Sequence, residues 1–428
     1  MIDKINVLIF PAGSEIGIEI FNSLKYNIHL DVFGLSGKAD HAKFIYSEDH
    51  YFEGDYYIGN QGFIDTFNSL IKKLNIELIL PTHDSIALFL AQHQKEINAK
   101  AITSPYKTAL IAREKNLIYE LFKEFDFCPK IYNKPFVDIN FPLFLKPNIG
   151  EGGKSTAIAY DKDSLYSFTQ QNTELIVCEY LPGDELSVDC FTNRRGELLF
   201  VGPRTRERVQ IGISFHSESV SLTDEILEIA ITINNQVNIR GAWFFQLKKD
   251  ANGRYKLLEF AVRQASTMGL YRQIGVNFAL LSIFDALGMD VKIIKNDYSI
   301  KLDRCLYNRY KIDYQYDRVY IDFDDTIIIN GQVNLTAVKY LYFCRNNGIR
   351  VALLTKHKYD LDQSLAKYCL SKNLFDEIIL INMEDDKLKY LDSDKSIFID
   401  NYFFDRYNVF KNKNIPVFDV DAIESLMN

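Results

Sequence analysis

Two stretches of this chain gather residue types that can handle phosphate. In the first, the apolar run Pro142-Leu143-Phe144-Leu145-Lys146-Pro147 leads into Asn148-Ile149-Gly150-Glu151-Gly152-Gly153-Lys154-Ser155. A lysine on a buried strand can neutralise an inner phosphate, and a loop with three glycines can bring backbone amides close to the outer ones. The ending G-G-K-S imitates a Walker A loop, but the first glycine position is Asn148, and residues 156–160 read as a strand where a P-loop needs a helix. Downstream, Glu179-Tyr180-Leu181 ends a strand and Glu185 follows, a backbone edge and a carboxylate that suit an adenine amine and a ribose; Val188 and Asp189 lie on the next strand. Arg204 and Arg206 could flank a phosphoryl group, with a salt-bridged face as the alternative. Gln246, Glu259 and Arg263 sit on or just after strands. A hard divalent cation prefers oxygen ligands such as Glu259, and an arginine can hold a carboxylate or a transferred phosphoryl group.

The second stretch is Val319-Tyr320-Ile321-Asp322-Phe323-Asp324-Asp325-Thr326. If strand geometry persists, period two aims Asp322 and Asp324 the same way. One carboxylate can attack phosphorus while the other handles the leaving-group proton, and magnesium can relieve their repulsion. A further strand ends in Thr355, suited to a phosphoryl oxygen, and another ends in Asp400, with Asp405 beyond it and Lys387 or Lys389 ahead.

These groups need elements to position them. Residues 5 to about 105 alternate apolar strands with amphipathic helices, which predicts a small open sheet of parallel strands. The turn Pro11-Ala12-Gly13-Ser14-Glu15-Ile16-Gly17 lacks G-x-G-x-x-G and reads as a tight βα turn. From 106 to 300 the pattern is a helix over 113–125 and then β-rich runs, a mixed α+β domain with antiparallel ribbons. After a linker over 301–316, strand–helix alternation returns over 317–428 and predicts a second parallel sheet. After the strand ending at Pro81, Thr82 or Asp84 is expected to cap a helix.

The chain has 428 residues, 47% hydrophobic and 25% charged, which excludes wholesale disorder and coiled coil. A net charge of −8 argues against a nucleic-acid groove. The 6 cysteines form no C-x-x-C pair, so they read as reduced thiols and the compartment as cytoplasmic. No run approaches a membrane span or a signal-peptide core, so no membrane partner is expected.

In this order, the residues of the first stretch resemble the ATP-grasp superfamily over about 1–300, in its carbamoyl phosphate synthase and biotin carboxylase branch, with 1–105 as the preceding α/β domain. The resemblance implies ATP and Mg2+ as cofactors and a small-molecule carboxylate and a nucleophile as substrates. It places Lys115 and Lys146 on ATP phosphates, with Gly150, Gly152, Gly153 and Ser155 in the mobile loop above them. Glu179, Tyr180 and Leu181 would bind adenine and Glu185 the ribose. Glu259 would hold magnesium and Arg263 face the γ-phosphate or acyl substrate, with Ser266, Thr267 and Met268 bordering the acceptor pocket. The family commonly reads E-x-N-x-R where this chain has Glu259-Phe260-Ala261-Val262-Arg263, so Gln246 or water would fill the place of the missing Asn.

Residues 317–428 resemble the haloacid dehalogenase superfamily, mainly phosphatases. That pattern makes Asp322 the nucleophile, Asp324 the acid/base and Thr355 a phosphate ligand, with Lys387 or Lys389 beside them. Asp322, Asp324 and Asp400 are then the candidate magnesium ligands, and Asp405 could share that role. The short spans between these motifs leave no room for a sizeable cap. Three readings stand: a ligase fused to a phosphatase, a ligase with a non-catalytic interaction module, and an ATP-binding regulator. A homodimer stays open.

Overall fold

A computed structural model describes residues 4–150, 152–172, 174–210, 212–392 and 395–427. The chain divides into two compact units, Met1–Leu306 and Tyr307–Asn428.

The first unit opens with a five-stranded parallel sheet built from Ile5–Phe10, Leu30–Ser36, Tyr51–Glu53, Leu78–Pro81 and Lys100–Ala101, with Ile5–Phe10 at its centre. The run Val7 to Phe10 is apolar throughout because both faces of this strand are covered. Leu8 and Phe10 enter one core with Phe67 and Leu90, while Val7 and Ile9 enter the other with Ile20 and Ile283, as period two dictates. The following turn is tight: Ser14 caps the helix Glu15–Leu24 by accepting from the Gly17 N–H at 2.9 Å. A Cβ on Gly17 would fall 2.4 Å from the Ala12 carbonyl oxygen, so only glycine lets this helix start so close to the strand.

Beyond residue 105 the described residues of this unit form three antiparallel sheets, two of them four-stranded. One pairs Ile131–Tyr132, Leu175–Glu179, Leu143–Pro147 and Ala157–Ala159; the other pairs Leu198–Thr205, Glu185–Thr192, Gly241–Lys249 and Tyr255–Ala261. The helix expected over 113–125 is Lys115–Phe122; a separate helix, Tyr106–Arg113, precedes it, and Glu114 between them is extended at φ −112° and ψ 111°. The N–H groups that this break exposes are met by Asn148. Its carbonyl accepts from Lys115 at 3.2 Å and its Oδ1 from Asn116 at 2.8 Å. Residues 301–303, placed in a linker by their sequence, instead form the strand Lys301–Asp303, which pairs with Ile213–Glu218. An edge strand with free hydrogen-bonding groups recruits them.

The second unit is also a five-stranded parallel sheet, with Arg318–Ile321 central between Arg350–Thr355 and Ser396–Ile399, and Glu377–Leu380 and Val417–Phe418 outermost. The carboxyl ends of its three inner strands meet at Asp322, Thr355 and Asp400, the edge where open parallel sheets present their sites. Among the described residues, no helix is long and apolar enough to cross a membrane.

Trp243, the sole tryptophan, is fully buried in the first unit; its indole N–H donates to Thr192 Oγ1 at 2.9 Å, and that hydroxyl donates to Asn234 Oδ1 at 2.7 Å. Thr192→Val keeps the shape but strands the indole N–H, so the first unit should lose about 1–3 kcal/mol. The urea midpoint of the tryptophan fluorescence transition reads this directly, and an unchanged midpoint would show that the bond adds nothing net.

Candidate functional site

The strand Leu143–Pro147 carries Lys146 into the interior of the first unit. Its ammonium donates to the Tyr119 hydroxyl and to the Leu258 carbonyl at 3.4 Å, and lies 4.9 Å from the Tyr119 ring centroid. Burial pushes the Tyr119 hydroxyl well up, so the lysine meets a neutral partner. The break at Glu114 sets Lys115 at the start of a helix, where its Nζ lies 3.4 Å from Glu259 Oε2 and 3.5 Å from the Gly150 carbonyl. The loop beyond Lys146 turns through left-handed conformations at Gly152, Gly153 and Ser155, with φ of 65°, 69° and 59°. Glu151 lies outside the described residues. A Cβ on Gly212 would fall 2.3 Å from Gly152 Cα, so two loop tips meet at close range. Beneath them is a cavity of about 280 Å³ walled by Lys115, Lys146, Glu185, Gln246 and Glu259.

Glu179, Tyr180 and Leu181 lie off this wall. Glu179 is tied to Lys130, accepting from its N–H at 2.8 Å and donating its own N–H to the Lys130 carbonyl at 2.9 Å. Tyr180 is exposed and the Leu181 side chain is buried. Glu185, expected on the ribose, makes an ion pair with Arg206 at 2.6 Å.

An adjoining cavity of about 300 Å³ shares Lys115, Gln246 and Glu259 and is closed by Ser14, Asp84, Arg263, Ser266 and Thr267. Met268 does not border it, being fully buried in a core with Leu270 and Phe278. Asp84 and Thr82 do not cap the helix Asp84–Gln92; His83 does, accepting from the Ser85 N–H. Thr82 instead donates to the Pro11 carbonyl at 2.6 Å, and Asp84 is drawn to Arg263 at 2.6 Å. Burial alone would raise the Asp84 carboxyl, but the Arg263 guanidinium beside it holds it below the usual carboxylate range. This pair joins residues 179 positions apart, and sequence offers no local signal for it. Arg204 makes the salt bridge that was its alternative reading, bidentate on Asp189 at 2.7 and 3.0 Å, with both side chains buried. Its remaining Nη1 is buried without a hydrogen-bond partner, and the residue lines this second cavity.

Residues 171–304 match the family model described as ATP-grasp in the biosynthetic pathway with Ter operon. Over 270 residues the chain is 21% identical to the carbamoyl phosphate synthase large chain of Clostridium acetobutylicum, covering 57% of this chain and 25% of that one. Over 104 residues it is 24% identical to the D-alanine–D-alanine ligase of Bacillus anthracis, covering 23% and 33%. It thus spans a quarter to a third of the length of these curated relatives. In structure it is similar to the biotin carboxylase domain dimer of Hydrogenobacter thermophilus 2-oxoglutarate carboxylase, in complex with MgADP, ADP and bicarbonate. The TM-score is 0.57 at 15% identity, over 69% of this chain and 73% of that one. The first unit has the ATP-grasp fold.

Across the ATP-grasp sheet, register sets Arg204, Ser187, Gln246 and Glu259 in one row, and Gly202, Asp189, Phe244 and Ala261 in the next row on the same face. Ala261 brings no oxygen to its row, and the Arg263 guanidinium lies 5.4 Å from the Phe244 ring centroid beside it. One carboxylate and one amide, Glu259 and Gln246, are a donor set that fits a magnesium ion keeping several of its waters. Among the described residues, no group of three or more His, Cys, Asp and Glu side chains gathers as a cage for a metal.

In the second unit the strand ends at Ile321, so Asp322 and Asp324 lie just beyond it and strand period no longer dictates how they point. Asp322 is buried against Lys387 at 2.8 Å, whereas the Asp324 side chain is 52% exposed and bonds His357. Lys387, on a short helical turn, also donates to Asp400 at 2.6 Å and lies 3.9 Å from Asp405. Lys389 is exposed on Asp385, so Lys387 is the lysine at this edge. The Thr355 hydroxyl is fully buried near the Asp322 carboxyl without a well-formed hydrogen bond, an orphaned donor suited to a phosphoryl oxygen. Burial pushes the Asp322 carboxyl up to about 6 despite the ammonium beside it, and burial raises Asp400 as well. Lys387 is itself buried, but its two carboxylates raise it.

Replacing Lys387 by Met leaves Asp322 and Asp400 without their counter-charge and should cost the second unit about 3–5 kcal/mol at neutral pH. The sign with pH follows from linkage. Both carboxyls are raised in the folded chain, so the penalty is absent below about pH 4, where they are protonated even when unfolded, and grows as pH rises. Urea unfolding of both proteins at pH 4 and pH 8, followed by circular dichroism, measures this. Equal losses at the two pH values would show that the lysine acts through packing.

Proposed function

We propose that this protein is an ATP- and Mg2+-dependent ligase that activates a carboxylate as an acyl phosphate for attack by an amine or similar nucleophile, fused to a Mg2+-dependent phosphatase of haloacid dehalogenase type. The observation that carries the ligase reading is the convergence of Lys115, Lys146 and Glu259 on one cavity beneath the glycine loop, opening into a second cavity lined by Arg263. The fold supports it, as do the MgADP and bicarbonate bound by one structural neighbour and the ligation of D-alanine named for one relative.

In this reading the substrate carboxylate attacks the γ-phosphorus, its bond to the ADP oxygen breaks, and ADP leaves. The nucleophile then adds to the acyl carbon, loses a proton to solvent and expels inorganic phosphate. Bound magnesium would offset phosphate charge in the first step. The protein positions and neutralises: Lys146 and Lys115 on the phosphates, Arg263 on the carboxylate, and the glycine amides above. In the second unit, Asp322 attacks a phosphate monoester and Asp324 gives the leaving oxygen its proton, with Thr355 and Lys387 steadying the phosphoryl group. The buried, orphaned Thr355 hydroxyl beside Asp322 is what favours this over a purely structural module. Ala261 is what favours the regulator reading, because it withholds a metal ligand.

ADP release is measured with the full chain, ATP and Mg2+ against pools of amino acids and other carboxylates. ADP should form only with particular carboxylates, and AMP would overturn the mechanism. Lys146→Ala and Glu259→Gln should each cut substrate-dependent ADP formation at least about 100-fold, in line with the loss of preorganised charge, while sparing hydrolysis of an aryl phosphate. Asp322→Asn should do the reverse. Loss of both activities from one change would refute independent sites.

A further inference from the structure

At the second-unit edge, one buried side chain is held in a chain of bonds that the roles above leave unused. His357 follows Thr355 by two residues, and its side chain is 5% exposed. Nδ1 lies 2.8 Å from Asp324 Oδ2, and Nε2 lies 2.7 Å from Ser364 Oγ. Phe323 meets the ring edge-to-face at 5.0 Å, and Tyr359 does so from 5.8 Å. Ser364 belongs to the helix Leu361–Lys367, whose first turn is capped by Asp360. The imidazole is thus anchored to a regular element at one nitrogen and tied to an exposed carboxylate at the other.

In the neutral ring one tautomer satisfies every group. An ionised carboxylate can only accept, so Nδ1 carries the hydrogen; Nε2 then accepts, and the Ser364 hydroxyl donates to it. The arrangement answers a problem specific to Asp324. That residue lies beyond the end of its strand, and the next, Asp325, is left-handed at φ 54°. A short, exposed side chain there has several rotamers open to it. Proton transfer in a transition state needs the acid held within hydrogen-bond reach of one oxygen.

We propose that His357 is the positioning residue of Asp324, fixing Oδ2 through Nδ1–H so that Oδ1 is the oxygen that delivers the proton to the leaving group. This rests on the phosphatase reading of the second unit. As the ester P–O bond breaks and the Asp322 oxygen bonds to phosphorus, the leaving oxygen takes the proton from Asp324 Oδ1. Water then attacks the aspartyl phosphate, returns a proton to Oδ1 and releases inorganic phosphate. His357 touches neither substrate nor phosphorus, and Ser364 fixes which nitrogen faces the carboxylate.

The consequence is a dependence on the leaving group. A nitrophenolate departs without a proton, whereas an alkoxide needs one. The full chain with Mg2+ is assayed on 4-nitrophenyl phosphate and on glycerol 2-phosphate. In His357→Phe, the single-turnover rate of alcohol release from the glycerol ester, which reads the first step alone, should fall by about 10²-fold, the lower end of what general acid catalysis supplies, with substrate affinity unchanged and single-turnover nitrophenolate release within a few-fold of normal. His357→Asn, whose amide N–H can take the place of Nδ1–H, should recover most of the loss. Ser364→Ala should show the same pattern more weakly. Equal losses in the two release rates, or a change confined to substrate affinity, would overturn the proposal.

The tether has its own readout. In the full chain labelled at histidine nitrogen, the His357 resonances should report the Nδ1–H tautomer, and Asp324→Ala should release it to a mixture. An unchanged tautomer in that variant would refute the tether. Wild-type protein that hydrolyses neither ester yet shows the locked tautomer would remove the phosphatase reading and with it the catalytic role, while leaving the hydrogen bonds standing.

Discussion

Taking an ammonium group out of water is costly unless the chain surrounds it with acceptors, and each unit of this protein does so at its candidate site. The two solutions differ in sign. Lys146 is met by a neutral hydroxyl, a carbonyl and a ring face, which accept its hydrogens without cancelling its charge. Lys387 is met by two buried carboxylates with a third nearby, so its surroundings are left with excess negative charge. The first arrangement suits an anionic phosphate chain, and the second suits a cation that brings a phosphoryl group with it. Much of the neighbouring architecture follows from these needs. Tyr119 lies on the helix that the break at Glu114 creates, and Asp322 and Asp400 end adjacent strands of a parallel sheet whose register makes them face one ammonium.

The strands were largely legible in the sequence, for a physical reason. A strand covered on both faces is apolar at every position, and runs such as Val7 to Phe10 and Val351 to Leu354 carry that signature without help from elsewhere. Glu185–Thr192 was legible in full although its interior includes Asp189, because Leu186, Val188 and Cys190 alternate with Ser187 and Asp189. Residues at the carboxyl ends of these strands were legible for the same reason, since a polar residue that closes an apolar run is conspicuous.

What stayed hidden depends on distant partners. The helix over 113–125 was legible, but the separate helix before it and the break at Glu114 were not; the N–H groups that the break exposes are met by Asn148, a residue beyond two intervening strands. Asp84 has the type and place of a helix cap, and an arginine far along the chain takes it for an ion pair. Glu185 and Arg204 each looked available for a ligand, but strand pairing places a counter-charge against each. His357, in Lys-His-Lys-Tyr, has nothing around it in sequence to separate it from an ordinary surface histidine. Only the fold brings Asp324 to one nitrogen and Ser364 to the other.

Both parallel sheets share one ordering: the central strand is the earliest in its unit. Ile5–Phe10 leaves the ribosome before Leu30–Ser36 and Leu78–Pro81 exist, and Arg318–Ile321 emerges before Arg350–Thr355 and Ser396–Ile399. Each therefore waits, apolar on both faces and unpaired on both edges, for partners made later, which is the condition under which chains of this topology fold slowly and stick to one another. The second unit closes its centre only once Ser396–Ile399 has been made. Asp322 and Asp400 meet Lys387 at that moment and no sooner, so the timing of translation sets when this site comes into being.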